Sequence, residues 1–145
     1  MTVRVSSHPA PAVVELLLAA HGLPTEDITP PMLAHFFVAD EGGEPRGVVG
    51  LQIGGDVALL RSLAVVHHAR GQGLGAALVR QAEAHARAHG VGTLYLLTTD
   101  AGAFFDRQGY AAVARDEAPE AIRATAQFSG ICGSSATLMR KRLDG

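Results

Sequence analysis

Apolar and polar positions follow two different periods along this chain, and the change between them separates strands from helices. In residues 57–65 and 93–99 apolar side chains run almost without a break, which is typical of a buried strand. In residues 73–89 they recur at helical spacing, as Leu74 and Leu78 do, which is typical of an amphipathic helix. Glycine and proline turns separate the stretches.

The pattern predicts one α/β unit. Its elements are, in order, a strand over 2–5, a helix over 9–20, a short helix opened by Thr29-Pro30, a strand over 36–39, strands over 47–53 and 57–65, a helix over 73–89, a strand over 93–99, a helix capped by Thr99 or Asp100 and running to 108, and strands over 110–114 and 136–142. Short turns make the strands before residue 65 an antiparallel meander. The strand over 93–99 runs parallel to that over 57–65, because a helix connects them.

Length and composition limit the protein classes. A chain of 145 residues, 48% hydrophobic, predicts a single domain over 1–145. A net charge of -2 with 5% aromatic residues argues against a nucleic-acid partner, which needs a basic face or stacking platforms. We expect no membrane contact and a cytoplasmic location, because the sequence shows no signal pattern and no apolar run of about 18 residues. The single cysteine, Cys132, excludes an internal disulfide and is expected to be a reduced thiol.

The most informative motif is a glycine loop between the strand over 57–65 and the long helix. Gly71, Gly73 and Gly75 alternate directly behind Arg70. Without Cβ atoms at alternate positions the backbone can curl its N–H groups around an anion, and the following helix directs the positive end of its dipole to the same point. The loop is therefore expected to bind a pyrophosphate.

The same run also fits a relaxed dinucleotide-binding fingerprint, Gly71-x-Gly73-x-x-Ala76. That fingerprint needs its first glycine directly after a strand and an acidic residue about 20 positions later. Here residues 67–70 intervene, and residues 91–99 contain no acid. The sequence therefore argues against a dinucleotide.

The run Arg70-Gly71-Gln72-Gly73-Leu74-Gly75-Ala76 behind Leu63-Ala64-Val65 resembles the acyl-CoA-binding signature of the GCN5-related N-acetyltransferase superfamily. The order of elements also resembles the fold of that superfamily, a mixed central sheet with an antiparallel N-terminal meander, splayed central strands and flanking helices. The resemblance implies a bulge in the strand over 57–65, which parts from the strand over 93–99 to admit the pantetheine arm of acetyl-CoA, the implied cosubstrate. The implied coenzyme-binding residues are Leu63, Ala64, Val65, Arg70, Gly71, Gln72, Gly73, Leu74, Gly75, Ala76 and Phe105, with Arg70 facing either a phosphate or solvent.

A second motif, Ala101-x-x-Phe104-Phe105-x-x-x-Gly109-Tyr110, resembles the superfamily's Ala-x-x-Phe-Tyr-x-x-x-Gly-Phe. The tyrosine often credited with protonating the departing thiolate is Phe105 here, and a phenyl ring cannot donate a proton. The resemblance therefore leaves the catalytic acid and base unassigned. Phe105 is expected in the core or lining the acyl pocket, and Tyr110 is expected to point into the closing sheet.

Within the superfamily the chain resembles small arsenic-resistance type N-acetyltransferases, relatives of enzymes that acetylate phosphinothricin-like amino acids. The segments that carry this resemblance include 55–63 and 119–125. It implies an acceptor site near Arg61, Ser62, Arg123 and Ser135, where a forked guanidinium suits an anionic group on the substrate. The alternative for Arg61 and Arg123 is a surface or structural role. The tail over 132–139 also resembles amino-acid N-acetyltransferases acting on glutamate, but Gly133 stands in place of their arginine, which argues against glutamate.

The sequence thus predicts direct acetyl transfer from acetyl-CoA to the primary amine of a small, amino-acid-like metabolite or toxin. The alternatives are a non-catalytic acetyl-CoA-binding module and a protein N-acetyltransferase, and a homodimer stays open. His85 and His89 lie one helical turn apart but have no evident third metal ligand, so they are interpreted as structural histidines and no metal is expected. Glu26 and Asp27 are interpreted as solvated loop charges.

Overall fold

The structure is a computed structural model that describes residues 3–66, 73–131 and 136–143. Its strands are β1 (Val3–Ser7), β2 (Phe36–Glu41), β3 (Glu44–Gly54), β4 (Val57–Val65), β5 (Thr93–Thr98), β6 (Ala111–Val113) and β7 (Thr137–Arg142). Its α-helices are α1 (Pro11–Ala19), α2 (Leu74–Ala88), α3 (Gly102–Arg107) and α4 (Glu120–Arg123). Two 3-10 helices cover Pro30–His35 and Arg115–Glu117, and a π-helical turn covers Gln127–Ile131.

The strands form one seven-stranded mixed sheet in the order β1-β2-β3-β4-β5-β7-β6. β1 to β4 are an antiparallel meander, and β4 pairs with β5 in parallel, as predicted. β7 lies antiparallel between β5 and β6, which closes the sheet. The predicted α/β fold with a mixed sheet and flanking helices is therefore confirmed.

Both faces of the sheet are covered, because successive side chains of a strand point to opposite faces. In β2, Phe37 and Ala39 belong to the core cluster under α2, whereas Phe36 and Val38 belong to the cluster under α1 and the first 3-10 helix. A third cluster joins α4 to β4 and β5 through Ile122. Burial on both sides explains the nearly continuous apolar runs of the central strands.

The predicted elements differ from the observed ones mainly at their ends. The predicted helix cap at Thr99 or Asp100 is wrong: α3 begins at Gly102, and Thr98 Oγ1 accepts the backbone N–H of Ala101 at 3.0 Å. The pattern also missed α4 and its flanking turns, since segments of three to five residues carry too little periodicity to be recognised. Among the described residues, no helix combines the length and apolar character that a membrane span requires.

Candidate active site

β4 contains the predicted bulge. Gly50 of β3 pairs with Arg61 and Val48 pairs with Ala64, so two steps along β3 face three along β4. The extra residue reverses the alternation of side chains: Leu60 packs in the cluster under α2, but Ala64 packs in the cluster under α1. Ser62, at the bulge, has a φ of 60°, a left-handed conformation that few non-glycine residues adopt.

β4 and β5 also part where they were predicted to. Their parallel pairing covers Val57–Leu59 of β4 and ends at the pair Leu59 and Tyr95. Beyond it the two strands line a cavity of about 310 Å³ from opposite sides. The lining residues are Gly22, Leu23, Pro24, Leu60, Arg61, Ser62, Leu63, Leu96, Leu97, Thr98, Thr99, Asp100, Ala101, Phe105, Gln127 and Ala136. Four predicted site residues, Arg61, Ser62, Leu63 and Phe105, thus meet at one cavity.

One wall of this cavity comes from the loop after α1, which sequence reasoning did not connect to the site. His21 fixes the loop to β4, since its Nε2 lies 2.9 Å from the carbonyl oxygen of Val65. Its Nδ1 lies 2.8 Å from the carbonyl oxygen of Leu17, one turn earlier. The next residues, Gly22 to Pro24, then face the opening between β4 and β5.

α2 begins directly after the glycine loop. Gly73 is its N-cap, with a φ of 77° that favours glycine, and no side chain caps the helix. The first intrahelical bond runs from the N–H of Ala77 to the carbonyl of Gly73 at 3.0 Å. The N–H groups of Leu74, Gly75 and Ala76 therefore precede the helical ladder and point out of its positive end. A Cβ on Gly75 would lie 3.3 Å from the Phe104 ring, so this position has little room for a side chain.

The guanidinium of Arg61 has protein partners. Its fork contacts both carboxylate oxygens of Asp27, with Nη2 donating to Oδ1 at 2.7 Å. Nη1 also donates to Gln52 Oε1 at 2.9 Å, and Nε donates to Ser62 Oγ at 3.0 Å. The interpretation of Asp27 as a solvated charge is wrong, because its side chain is 10% exposed and the Arg61 side chain 1% exposed. The pair holds the loop after α1 against the bulge.

Arg123, another predicted acceptor-site residue, is not part of the cavity lining. Arg123, in α4, is exposed, and its Nη2 donates to the carbonyl oxygen of Asp116 at 2.6 Å. Ser135 lies outside the described residues, as do Cys132 and the loop residues Arg70, Gly71 and Gln72. Their predicted roles stay predictions.

Phe105 is 5% exposed and belongs to the core as well as to the cavity wall. Its ring packs edge-on against Phe104 at 5.0 Å and Tyr110 at 5.7 Å between centroids. The Tyr110 hydroxyl donates to Glu83 Oε2 at 3.0 Å, and Lys141 Nζ donates to the same oxygen at 3.0 Å. Burial raises the pKa of Tyr110 well above its usual value, and the charge and hydrogen bond of Glu83 raise it further. Tyr110 thus packs in the core under α2, with its hydroxyl directed at α2 and not simply into the closing sheet, and it is unsuited to be an acid.

We expect Tyr110→Phe to leave kcat/KM and its pH profile unchanged within about twofold while lowering the free energy of unfolding by about 1.5–3 kcal/mol. The reason is that the hydroxyl bonds a buried carboxylate and does not line the cavity. Urea unfolding and initial rates across pH 6 to 10 measure both effects. An alkaline limb that disappeared in this variant would contradict the assignment.

The splayed sheet, the cavity at its opening and the glycine-started helix define an acetyltransferase-type α/β fold. The chain belongs to the acetyltransferase (GNAT) family, whose sequence model matches residues 9–110. It is 38% identical over 88 residues to an uncharacterized N-acetyltransferase of Chlorobaculum tepidum. That match covers 60% of this chain and 56% of the relative, so it spans little more than half of that protein.

Solved structures share the fold. N-acetylglutamate synthase from Neisseria gonorrhoeae, complexed with coenzyme A and N-acetyl-glutamate, superposes with a TM-score of 0.82 at 22% identity, over 99% of this chain and 35% of that one. A protein of Mycobacterium tuberculosis in complex with CoA superposes with a TM-score of 0.76 at 20% identity, over 98% of this chain and 99% of that one. At these identities the superpositions show the common fold.

Proposed function

We propose that the chain is a cytoplasmic N-acetyltransferase that transfers the acetyl group of acetyl-CoA directly to the primary amine of a small, amino-acid-like molecule. The observation that carries this proposal is the cavity where β4 and β5 part, together with the start of α2, where a Cβ on Gly75 would lie 3.8 Å from the Val65 side chain of β4. Membership of the acetyltransferase family and a fold shared with coenzyme A complexes support it.

Two backbone features support acetyl-CoA as the cosubstrate: the start of α2 and the unpaired end of the β4–β5 ladder. The pyrophosphate accepts hydrogen bonds from the first-turn N–H groups of α2 and from the glycine loop before it. The amides of the pantetheine arm pair with β4 at Leu63 as an added strand would, because β5 no longer pairs with β4 there. The carbonyl oxygen of Val65, the other predicted partner, already lies 2.9 Å from His21 Nε2. The thioester then lies in the cavity beside Phe105.

The chemistry needs little from side chains. The neutral amine attacks the thioester carbonyl carbon, backbone N–H groups of β4 stabilise the oxyanion, and the carbon–sulfur bond breaks to release the thiolate of coenzyme A. The amine loses one proton, and the thiolate gains one, by way of water. An ordinary thiol has a pKa of about 8.5, so near neutral pH the thiolate is a good leaving group without a dedicated acid.

The acceptor class rests on the polar part of the cavity. Among the described residues, Asp100 is the one carboxylate of the cavity lining, where its charge can attract the ammonium form of an amine. Ser62, Thr98 and Thr99 add hydroxyl groups. A cavity of about 310 Å³ suits an amino acid in size. The synthase that shares this fold is complexed with N-acetyl-glutamate, an acetylated amino acid.

A thiol-release assay with acetyl-CoA tests the proposal against its alternatives. The panel contains amino acids, phosphinothricin-like amino acids, which the resemblance to arsenic-resistance enzymes recommends, polyamines and peptides. We expect thiol release with a small amino-acid-like amine. Release with peptides alone would indicate a protein N-acetyltransferase, and acetyl-CoA binding by calorimetry without any release would indicate a non-catalytic module.

Turnover should not depend on a phenolic acid at position 105. We expect kcat/KM to rise with pH through a single ionisation, with no fall near pH 10, and Phe105→Tyr to change kcat/KM by less than about tenfold. Phe105→Ala should instead lower the free energy of unfolding by about 3–5 kcal/mol, because it empties a buried ring position. Rate profiles over pH and urea unfolding check these effects. A rise in rate of a hundredfold or more in Phe105→Tyr would show that the acid is missing from the native enzyme.

A further inference from the structure

Three histidines converge on the α2 side of the sheet, apart from the cavity. His85 and His89 lie one turn apart near the end of α2, and His35 ends the first 3-10 helix beside them. One nitrogen from each ring lies within 4.8 Å of the other two. His35 Nδ1 and His85 Nε2 are 2.9 Å apart, and the rings of His85 and His89 are 4.2 Å apart between centroids.

The sequence showed only two of these three residues. Helical spacing identifies His85 and His89 as neighbours, but His35 is 50 positions earlier and reaches them only because β2, which follows it, packs under α2. The rings of Phe37 and His85 pack edge to face, with their centroids 5.0 Å apart. Phe37 of β2 thereby supports the histidine cluster. His35 is therefore the third histidine that the sequence pattern alone did not reveal.

A backbone hydrogen bond orients the His89 ring. His89 Nδ1 lies 2.9 Å from the carbonyl oxygen of His85 and donates to it, which leaves Nε2 as the lone-pair nitrogen of His89. A backbone acceptor on the second ring nitrogen is how proteins orient metal-binding histidines.

We propose that His35, His85 and His89 form a binding site for a divalent transition-metal ion of the zinc class, with water as a fourth ligand. Zinc bonds imidazole nitrogens at about 2.0–2.1 Å, so tetrahedral ligand atoms stand about 3.3 Å apart. The pair at 2.9 Å is already close to that spacing. Imidazole ligands favour zinc, copper, nickel or cobalt over calcium and magnesium, which prefer oxygen.

Binding needs one rearrangement. The ring that donates in the hydrogen bond between His35 and His85 moves its proton to its other nitrogen, and both nitrogens then face the ion. This changes the tautomer without loss of a proton. The bound ion would join the 3-10 helix and β2 to the end of α2, and by binding the folded chain in preference to the unfolded one it would raise the melting temperature.

The test uses untagged protein from which metal has been removed with a chelator. Co²⁺ binding is measured by visible absorption, and Zn²⁺ binding is measured by calorimetry. We expect one equivalent of Co²⁺ with the absorption of a tetrahedral nitrogen-ligated ion, displaced by one equivalent of Zn²⁺. His35→Asn and His89→Asn should each weaken Zn²⁺ binding at least about tenfold and abolish the rise in melting temperature. His8→Asn is the matched control, since His8 is exposed, outside the cluster and at a φ of 52° that asparagine tolerates.

The decisive variant is His35→Asn, because a pair of histidines one turn apart on a helix binds metal weakly by itself. Full affinity in His35→Asn would overturn the three-ligand site, and so would equal losses in His8→Asn. Absence of one-equivalent binding to the native chain would overturn it as well. Circular dichroism of each variant verifies that it is folded, and His89, which is exposed, provides a variant that should fold in any case.

Discussion

Gly73→Asp should weaken the binding of acetyl-CoA at least tenfold while the chain remains folded. Gly73 caps α2 in a left-handed conformation, at the point toward which the first-turn N–H groups are directed. A carboxylate there takes these donors for itself and repels the pyrophosphate, in the region where the helix dipole favours an anion. The fold should survive, because an added Cβ meets no atom within 4 Å and aspartate tolerates positive φ better than most residues. Isothermal titration calorimetry measures the affinity.

Two controls separate charge from backbone strain. Gly73→Asn has nearly the same shape and the same tolerance of positive φ but no charge, so it should retain more affinity than Gly73→Asp. Gly90→Asp imposes a comparable strain at the other end of α2, where φ is 80° and a Cβ again has open space. It should leave the affinity unchanged. If Gly73→Asp bound acetyl-CoA with the native affinity, the pyrophosphate would not bind at the start of α2.

Arg61→Met should lower the free energy of unfolding by about 3–5 kcal/mol, since it leaves the carboxylate of Asp27 nearly buried without its cation. Asp27→Leu should have an effect of the same size, because it leaves the buried guanidinium without its carboxylate. The double variant should be more stable than the sum of the two losses predicts, as partners in one ion pair are coupled. Urea unfolding of the four proteins completes this cycle.

The matched control is an ion pair near the surface. Arg46 Nη2 lies 3.1 Å from Glu44 Oε2, but the Glu44 side chain is 71% exposed. Glu44→Ala should therefore change the free energy of unfolding by no more than about 0.5 kcal/mol. If Arg61→Met unfolds like the native chain and instead raises the KM of an anionic acceptor more than that of acetyl-CoA, Arg61 acts on the substrate, as the sequence predicted.

Much of the fold could be predicted from local pattern. The observed bounds of β4 agree with the prediction, because a run of apolar residues between two turns leaves little choice. The parallel pairing of β4 and β5 followed from the helix between them. Short elements such as α4 were missed, because their order comes from packing against β4 and not from their own periodicity.

The candidate site also has features that the sequence predicts and features that only the tertiary structure reveals. The glycine at the start of α2 and the phenylalanine at position 105 could be picked out from the sequence, since backbone freedom and side-chain type are properties of the residue itself. The partner of Arg61 and the third histidine were not, because Asp27 and His35 lie 34 and 50 positions away from the residues they contact. A sequence shows which residues can form an ion pair or bind a metal. Only the folded sheet, by turning the loop after α1 onto β4 and laying α2 across β2, decides which of them meet.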